Sequence, residues 1–382
     1  MRALHTSDWH LGRTFHGADL LAEQESVLGH LADVVAEERV DVVLVAGDIY
    51  DRAVPSAETV RVAARVFAKI RRAGAQLVLT AGNHDSAARL GVFAEFVPAG
   101  GLHLRTEIDL LAEPVLLDDE HGLVAIYGIP YLEPDPCRHA MGIEAKGHTG
   151  VLTEAMRRIN ADLAGRDARS IVLAHAFVTG GEGSDSERPI TSGGVEQVGA
   201  AVFDGPDYVA LGHLHGPQRL SDRLRYSGSP LAYSFSETSH RKAVWLVDLD
   251  ADGLAEVRRR ELPVPRPLAT VTGSLADLLA GAAHADLEEC YLSVTLTDRV
   301  RPIDAMRKLR ERFRYAVHLD WVPEGGDPRG VLRYADAVRG RSDQQITEGF
   351  FSDCRGSEPN PAERILLDEA LVAAGKAEDH GT

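Results

Sequence analysis

Sulfur is scarce in this chain: Cys137, Cys290 and Cys354 are its only cysteines among 382 residues, far apart and without a CxxC pair. That excludes a disulfide framework and a thiolate zinc site, and leaves three inert thiols. Long apolar runs are missing as well. No stretch reaches the roughly eighteen apolar residues that a membrane span needs. The opening MRALHTSDWH has no basic segment followed by an apolar run and a small-residue cleavage site, so no signal peptide and a cytoplasmic location are expected. Positive charge is in deficit, with 41 Lys and Arg against 58 Asp and Glu and a net charge of −17. A field of that sign repels a phosphate backbone. Activity on nucleic acid would therefore need bound metals, a local positive site or a partner.

What remains is an ordinary globular composition, 44% apolar and 26% charged, with length for two or three domains. Three β-rich runs, Ala3 to Thr6, Val40 to Ala46 and Gln76 to Ala81, each end in a polar cluster. Between them, residues 18 to 38 and 56 to 73 carry apolar residues at helical spacing, which predicts a β-α-β-α-β start. Further strands are predicted at Pro114 to Leu117, Leu123 to Ile129, Ser170 to Ala174, Tyr208 to Leu211 and Ala243 to Leu249. The last pairs with Ala255 to Leu262 across the turn Asp-Ala-Asp-Gly. Residues 179 to 194 read as a glycine- and serine-rich loop.

The run LPVPRP at 262 to 267 marks a boundary, since three prolines in six residues cannot continue a central strand or helix. Domains are expected at 1–265 and 268–340, with a C-terminal helical segment at 345–376. In that segment Phe350 and Phe351 precede a helix from Ala362 to Ala374. Ala87 to Val97 reads as a helix that could pair with a second copy or pack on the core.

Five clusters in the first 215 residues can bind metals: Asp8-Trp9-His10, Gly47-Asp48-Ile49-Tyr50-Asp51, Gly82-Asn83-His84-Asp85, His175, and Gly212-His213-Leu214-His215. Alone, each has a plain reading, as a turn, a helix cap or a satisfied core histidine. Together they do not. With 16 histidines in 382 positions, four prescribed positions fill by chance on the order of once in 10⁶. The donors are oxygen and nitrogen without sulfur, which suits manganese, iron or zinc. Eight such residues exceed one tetrahedral site, so two metals sharing a carboxylate are expected, with Asp48 the natural bridge.

The order DxH, GDxxD, GNHD, H, GHxH resembles the calcineurin-like metallophosphoesterases. The resemblance implies an α/β fold of the metallophosphoesterase type, a four-layer αββα sandwich. It places one metal on Asp8, His10, Asp48 and His215, and the other on Asp48, Asn83, His175 and His213. His84 would lie beside the metals, stabilising developing charge or protonating the leaving oxygen. Asp51 and Asp85 would stand behind the ligands, Asp51 orienting a ligand histidine and Asp85 orienting His84 or capping a helix. Arg13, Arg52 and Arg89 each follow a motif and are candidates for phosphate contact.

The stretches HTSDWHLGRTFHG at 5 to 17, SDSERPITSGG at 184 to 194, GHLHGPQ at 212 to 218 and YSGSPLAYSFSE at 226 to 237 are similar to one branch of that family, the SbcD-type nuclease subunits. That branch implies a metal-dependent DNA exonuclease and endonuclease in repair and recombination. It also implies a small α/β capping domain, a homodimer, and a C-terminal segment gripping an SbcC-type ATPase in a heterotetramer. Two divalent ions per chain are implied, and the oxygen-rich donors favour manganese. Two alternatives stay open. One is a freestanding phosphoesterase acting on a small diester such as a cyclic nucleotide; the other is a silent scaffold, which has no need of eight metal-competent groups.

Overall fold

The run VVLVA at Val42–Ala46 is buried along its whole length, as a strand covered on both faces must be. In the computed structural model, which describes residues 1–187, 197–281, 283–324, 340–355 and 357–378, it lies between the parallel strands Arg2–Thr6 and Gln76–Thr80. Leu102–Arg105 extends the parallel set on one side, and Ala243–Asp250 with Gly253–Glu261 adds an antiparallel hairpin on the other. A second six-stranded sheet runs Gln218–Arg219, Leu224–Tyr226, Tyr208–Gly212, Arg169–His175, Gly122–Ile129, Val115–Asp119, its central four strands parallel.

The inner faces of the two sheets meet in one apolar core, with Ala3, Val42, Leu44 and Val78 against Val124, Ile126, Ile171 and Leu173. His5 crosses that interface, its Nδ1 2.9 Å from the Tyr208 hydroxyl and its Nε2 3.0 Å from the Leu211 carbonyl. Burial pushes its pKa down to about 3, so it is a neutral strut between the sheets.

Helices cover the outer faces. Leu21–Glu38 and Ala57–Arg72 pack on each other, and the latter packs on Gln76–Thr80. Their buried residues, Val27, Leu31 and Val35, and Val62, Val66 and Ile70, follow helical spacing. Ser56 caps the second helix by accepting from Thr59 N at 3.1 Å, worth ~1 kcal/mol. On the far side, Pro134–Met141 and Gly147–Leu163 bury Met141, Val151, Ala155 and Met156 on Tyr127, Val172 and Val209. The result is the four-layer αββα sandwich that the motifs lead one to expect.

Contacts divide the chain at Met1–Pro265 and Arg266–Thr382. The second unit holds a parallel three-stranded sheet, Leu268–Gly273, Tyr291–Leu296 and Ala316–Trp321. Leu275–Leu279 and Ala305–Arg312 close its core through Leu278, Leu309 and neighbouring Phe313. Helices Asp343–Arg355 and Pro361–Glu378 follow and pack on each other. Phe350 and Phe351 precede the helix over Ala362 to Ala374 as expected, and they lie within a further helix, Asp343–Arg355. Residues 325–339 of the expected capping segment and 188–194 of the glycine- and serine-rich loop lie outside the described residues.

Ala87 to Val97 is not one helix. It is a single turn, Ala87–Leu90, closed by Gly91 as C-cap, then non-helical turns and the 3₁₀ turn Val97–Gly100. Gly91 sits where a Cβ would collide with the Thr106 side chain, which admits only glycine at that position. Among the described residues, no helix is long and apolar enough to cross a membrane.

Candidate metal centre

All five motifs fall at the carboxyl ends of parallel strands, where an α/β sheet leaves loops free to build a site. Asp8 and His10 follow Arg2–Thr6; Asp48 follows Val42–Ala46; Asn83 and His84 follow Gln76–Thr80. His175 ends its strand, and His213 and His215 follow Tyr208–Gly212. Asp8, His10, Asp48 and His213 have φ of 52°, 45°, 51° and 109°. Such backbone costs ~1–3 kcal/mol per residue and persists only where its surroundings over-determine it. Here the turns lock each other: Asp8 N donates to Gly47 O at 3.1 Å and His10 N to Asp48 O at 3.0 Å.

The motif glycines have a steric cause. A Cβ on Gly82 would meet the main-chain nitrogen and carboxylate of Asp48, and one on Gly212 would meet the Ala46 carbonyl oxygen. Only glycine lets these strand ends approach so closely.

Asp48 lies at the centre of the cluster. Its Oδ1 accepts the His84 main-chain N–H at 2.8 Å, and its Oδ2 lies 3.6 Å from His10 Nε2 and 3.4 Å from His175 Nε2. Burial opposes its ionisation, but the imidazoles of His175 and His10 hold it well below the usual carboxylate range. Asp8 accepts from Ser7 Oγ at 2.5 Å and from His213 N at 3.0 and 3.1 Å. Ligand atoms of Asp8, His10 and His215 lie within 4.8 Å of one another, as do those of Asp8, Asp48 and His175, and of His10, Asp48 and His84.

These residues fit divalent cations. His175 Nδ1 is 3.0 Å from the Ala46 carbonyl, which only accepts, so that nitrogen carries the hydrogen. Nε2 of the neutral ring is then a lone pair, yet it lies 2.9 Å from Asn83 Oδ1 and near Asp48 Oδ2. In this arrangement three acceptors converge there, and a cation, proton or metal, satisfies them together. Burial disfavours a charged His175, but Asp48 and Asp8 push its pKa up to about 9. Burial drives His10 and His213 well below the ordinary value, keeping lone pairs available. His10 Nδ1 is buried with no hydrogen-bond partner among the described residues.

Other predicted residues sit differently. His84 Nδ1 is 2.9 Å from the main-chain carbonyl of Asp51, whereas the Asp51 carboxylate stays 3.7 Å from His10 Nδ1 and 3.9 Å from His84 Nδ1. It is thus the Asp51 backbone that bonds to a motif histidine. Asp85 accepts from Gly82 N at 3.0 Å, Ile49 N at 3.1 Å and Tyr50 N at 2.9 Å, stitching two motif loops together, while Ser86 caps the turn that follows. Arg13 turns inward, donating to the Ser186 carbonyl at 2.7 Å with its guanidinium over the Tyr233 ring. Arg52 and Arg89 are exposed.

Sequence reasoning assigns no role to Ser7, Gln24, Ser186, Glu187, Tyr233, Glu237 and Lys242. Gln24 donates to His10 O at 2.7 Å and accepts from Gly12 N at 3.0 Å, holding the first turn. Glu237 is buried; His215 and Lys242 hold it well below the usual carboxylate range against its burial. Ser186, Glu187, Tyr233 and Glu237 fall in the stretches 184–194 and 226–237 that carry the family resemblance, which is the signal that could have found them.

Residues 1–217 match the profile of the calcineurin-like phosphoesterases. Residues 264–353 match a profile, SbcD_C, described as the type 5 capsule protein repressor C-terminal domain. Among solved structures, TT1561 of Thermus thermophilus is 17% identical, covering 68% of this chain and 98% of its own at a TM-score of 0.40. A dimetal phosphatase from Danio rerio is 12% identical, covering 69% and 96% at 0.41. The phosphoesterase YfkN from Bacillus subtilis is 15% identical, covering 69% and 90% at 0.38. With its first 217 residues matched and motif side chains gathered at the carboxyl ends of strands from both sheets, the chain belongs to the calcineurin-like phosphoesterase family.

Proposed function

We propose that the chain is a metal-dependent DNA nuclease, an SbcD-type subunit that cuts phosphodiesters at DNA ends and hairpins together with an SbcC-type ATPase. One observation supports the nuclease reading over a general phosphoesterase: the chain that carries the Asp48-centred cluster also matches SbcD_C over residues 264–353. Asp8, His10, Asp48 and His215 would hold one ion, and Asp48, Asn83, His175 and His213 the other. Two divalent ions, manganese by the hardness of the donors, would supply Lewis acidity at the scissile phosphate and activate the attacking water.

The chain's own groups do the rest. Asp48 would serve both ions, and its Oδ1 accepts the His84 main-chain N–H, which ties His84 to that carboxylate. With Nδ1–H committed to the Asp51 carbonyl, the protonated His84 ring delivers its other proton, from Nε2, to the departing oxygen. The net charge of −17 is tolerable because the ions make the positive site.

Two exposed apolar surfaces support the expected partners. Phe350, Ile365 and Leu366 are exposed on the C-terminal helices, where the ATPase would dock. Val92, Phe93 and Phe96 are exposed on the turns after Ala87–Leu90, where a second copy would pair. Truncation after Gly340 should abolish ATPase binding, and light scattering on the isolated chain should give a dimer.

The activity test uses purified protein with and without manganese on blunt duplex, single-stranded and hairpin DNA and on a small phosphodiester, beside His84→Ala. Cleavage of DNA that requires both manganese and His84 is the expected result. Turnover of the small ester alone, with DNA uncut even after the ATPase and ATP are added, would replace this reading with the small-diester one.

A further inference from the structure

Three buried side chains stand behind His215 and belong to none of the five motifs. His215 Nδ1 is 2.5 Å from Ser186 Oγ, and Ser186 Oγ is 2.5 Å from Glu237 Oε1. The other oxygen of Glu237 receives Lys242 Nζ, which also donates to the His215 carbonyl at 2.8 Å and to Ser229 Oγ at 2.9 Å. Ser186, His215, Glu237 and Lys242 are all buried. The same segment grips the His215 main chain, whose N–H donates to Glu187 Oε1 at 2.8 Å.

The hydrogen inventory decides the direction of this chain. Glu237, ion-paired to Lys242, is an acceptor only, and two oxygens 2.5 Å apart need a hydrogen between them, so the single Ser186 hydroxyl hydrogen goes to Glu237; toward Ser184 Oγ, 2.9 Å away, Ser186 Oγ is then left to accept. The short contact between Ser186 Oγ and His215 Nδ1 must then be an N–H donation from the ring. His215 is thereby fixed with its hydrogen on Nδ1 and a bare lone pair on Nε2, the atom that lies 3.0 Å from His10 Nε2 in the centre of the cluster. Metal-binding histidines are oriented by a partner on the ring's other nitrogen, commonly a carboxylate or carbonyl. Here a serine is interposed, which places control of a ligand on the segment Ser184 to Glu187.

We infer that Ser186, backed by Glu237 and Lys242, is a positioning residue that sets the His215 tautomer and so the affinity of the site for its cation. The inference rests on the proposed metal role of His215. Its consequence is local: the segment Ser184 to Glu187, anchored also by Arg13 on the Ser186 carbonyl and by Ser236 Oγ on Asp185 N at 3.1 Å, couples to cation binding through one hydroxyl.

The test compares full-length wild type, Ser186→Ala and Ser186→Thr. In metal-free protein labelled with ¹⁵N-histidine at pH 8, long-range ¹H–¹⁵N spectra read the tautomer directly, the His215 signal being identified by its loss in His215→Gln. Wild type and Ser186→Thr should carry the hydrogen on Nδ1; Ser186→Ala should shift it toward Nε2. Manganese titrated calorimetrically into the same proteins should bind Ser186→Ala ~10–100-fold more weakly, with Ser186→Thr restored. An Nε2–H tautomer in wild type, or a Ser186→Ala protein unchanged in tautomer and affinity, would overturn the relay. Wild type that binds no manganese would instead bring down the metal reading, while the tautomer comparison still decides the relay.

Discussion

The main-chain N–H of His84 donates to Oδ1 of Asp48 at 2.8 Å, so the proposed bridging carboxylate and the proposed proton donor form one unit. Their losses should differ. His84→Ala keeps the amide, and with it the Asp48 geometry, so manganese affinity should hold while single-turnover DNA cleavage falls by roughly 10²–10⁴. Asp48→Ala should abolish manganese binding and cleavage together. Equal losses of metal in the two variants would contradict separate roles.

Asp85 is a structural clasp. It takes three main-chain N–H groups, from Gly82, Ile49 and Tyr50. Removing it leaves donors that cost about 1–3 kcal/mol each when unsatisfied. Asp85→Ala should therefore lower urea stability by several kcal/mol, and Asp85→Asn by less. A change below ~0.5 kcal/mol, the size of an ordinary surface substitution, would count against this assignment.

Much of this is legible in the sequence, and the parts that are not share a cause. Asp8, Asp48, Asn83 and the histidines sit immediately after apolar runs, so local pattern locates both strand and ligand. Ser186 and Glu237 act across 51 residues of chain on one imidazole, and no local periodicity marks such a pair. Asp85 reads as a cap because Asp before a turn usually is one; Ser86 holds that position. Arg13 reads as available for phosphate, yet the Ser186 carbonyl that holds it lies 173 residues away along the chain, and the Tyr233 ring lies further still. The helix expected over Ala87 to Val97 follows apolar spacing, yet the helix ends after one turn, with Gly91 as its C-cap.

The three arginines should separate in salt dependence. Arg52 and Arg89 are exposed, whereas Arg13 is engaged within the protein. Measured on hairpin DNA across potassium chloride concentrations, Arg52→Ala or Arg89→Ala should reduce the slope of log K against log salt by about 0.9 for each phosphate that the arginine neutralises. Arg13→Ala should leave the slope unchanged. A smaller slope for Arg13→Ala would mean that it leaves Ser186 to meet DNA.

Far from the site, Asp119 pairs with buried Arg169, Oδ1 accepting from Nη2 at 2.5 Å and Oδ2 from Nη1 at 3.1 Å. Arg169 holds this carboxyl well below the usual range. The unfolded chain, with a value of about 3.9, binds the proton first as pH falls. The stabilisation is therefore present above about pH 4 and is lost as pH drops through the lower folded value. Asp119→Asn should cost on the order of 1–3 kcal/mol at neutral pH and flatten the decline in urea midpoint between about pH 4 and 2. An unchanged acid profile would contradict the pairing.

The most direct measurement is the number of manganese ions bound per chain, read by calorimetry and by elemental analysis after gel filtration, for wild type, Asn83→Ala and Asp48→Ala. Two ions sharing Asp48 predict two for wild type, one for Asn83→Ala and none for Asp48→Ala. A single ion in wild type, or two in Asp48→Ala, would contradict a shared carboxylate at the centre of this site.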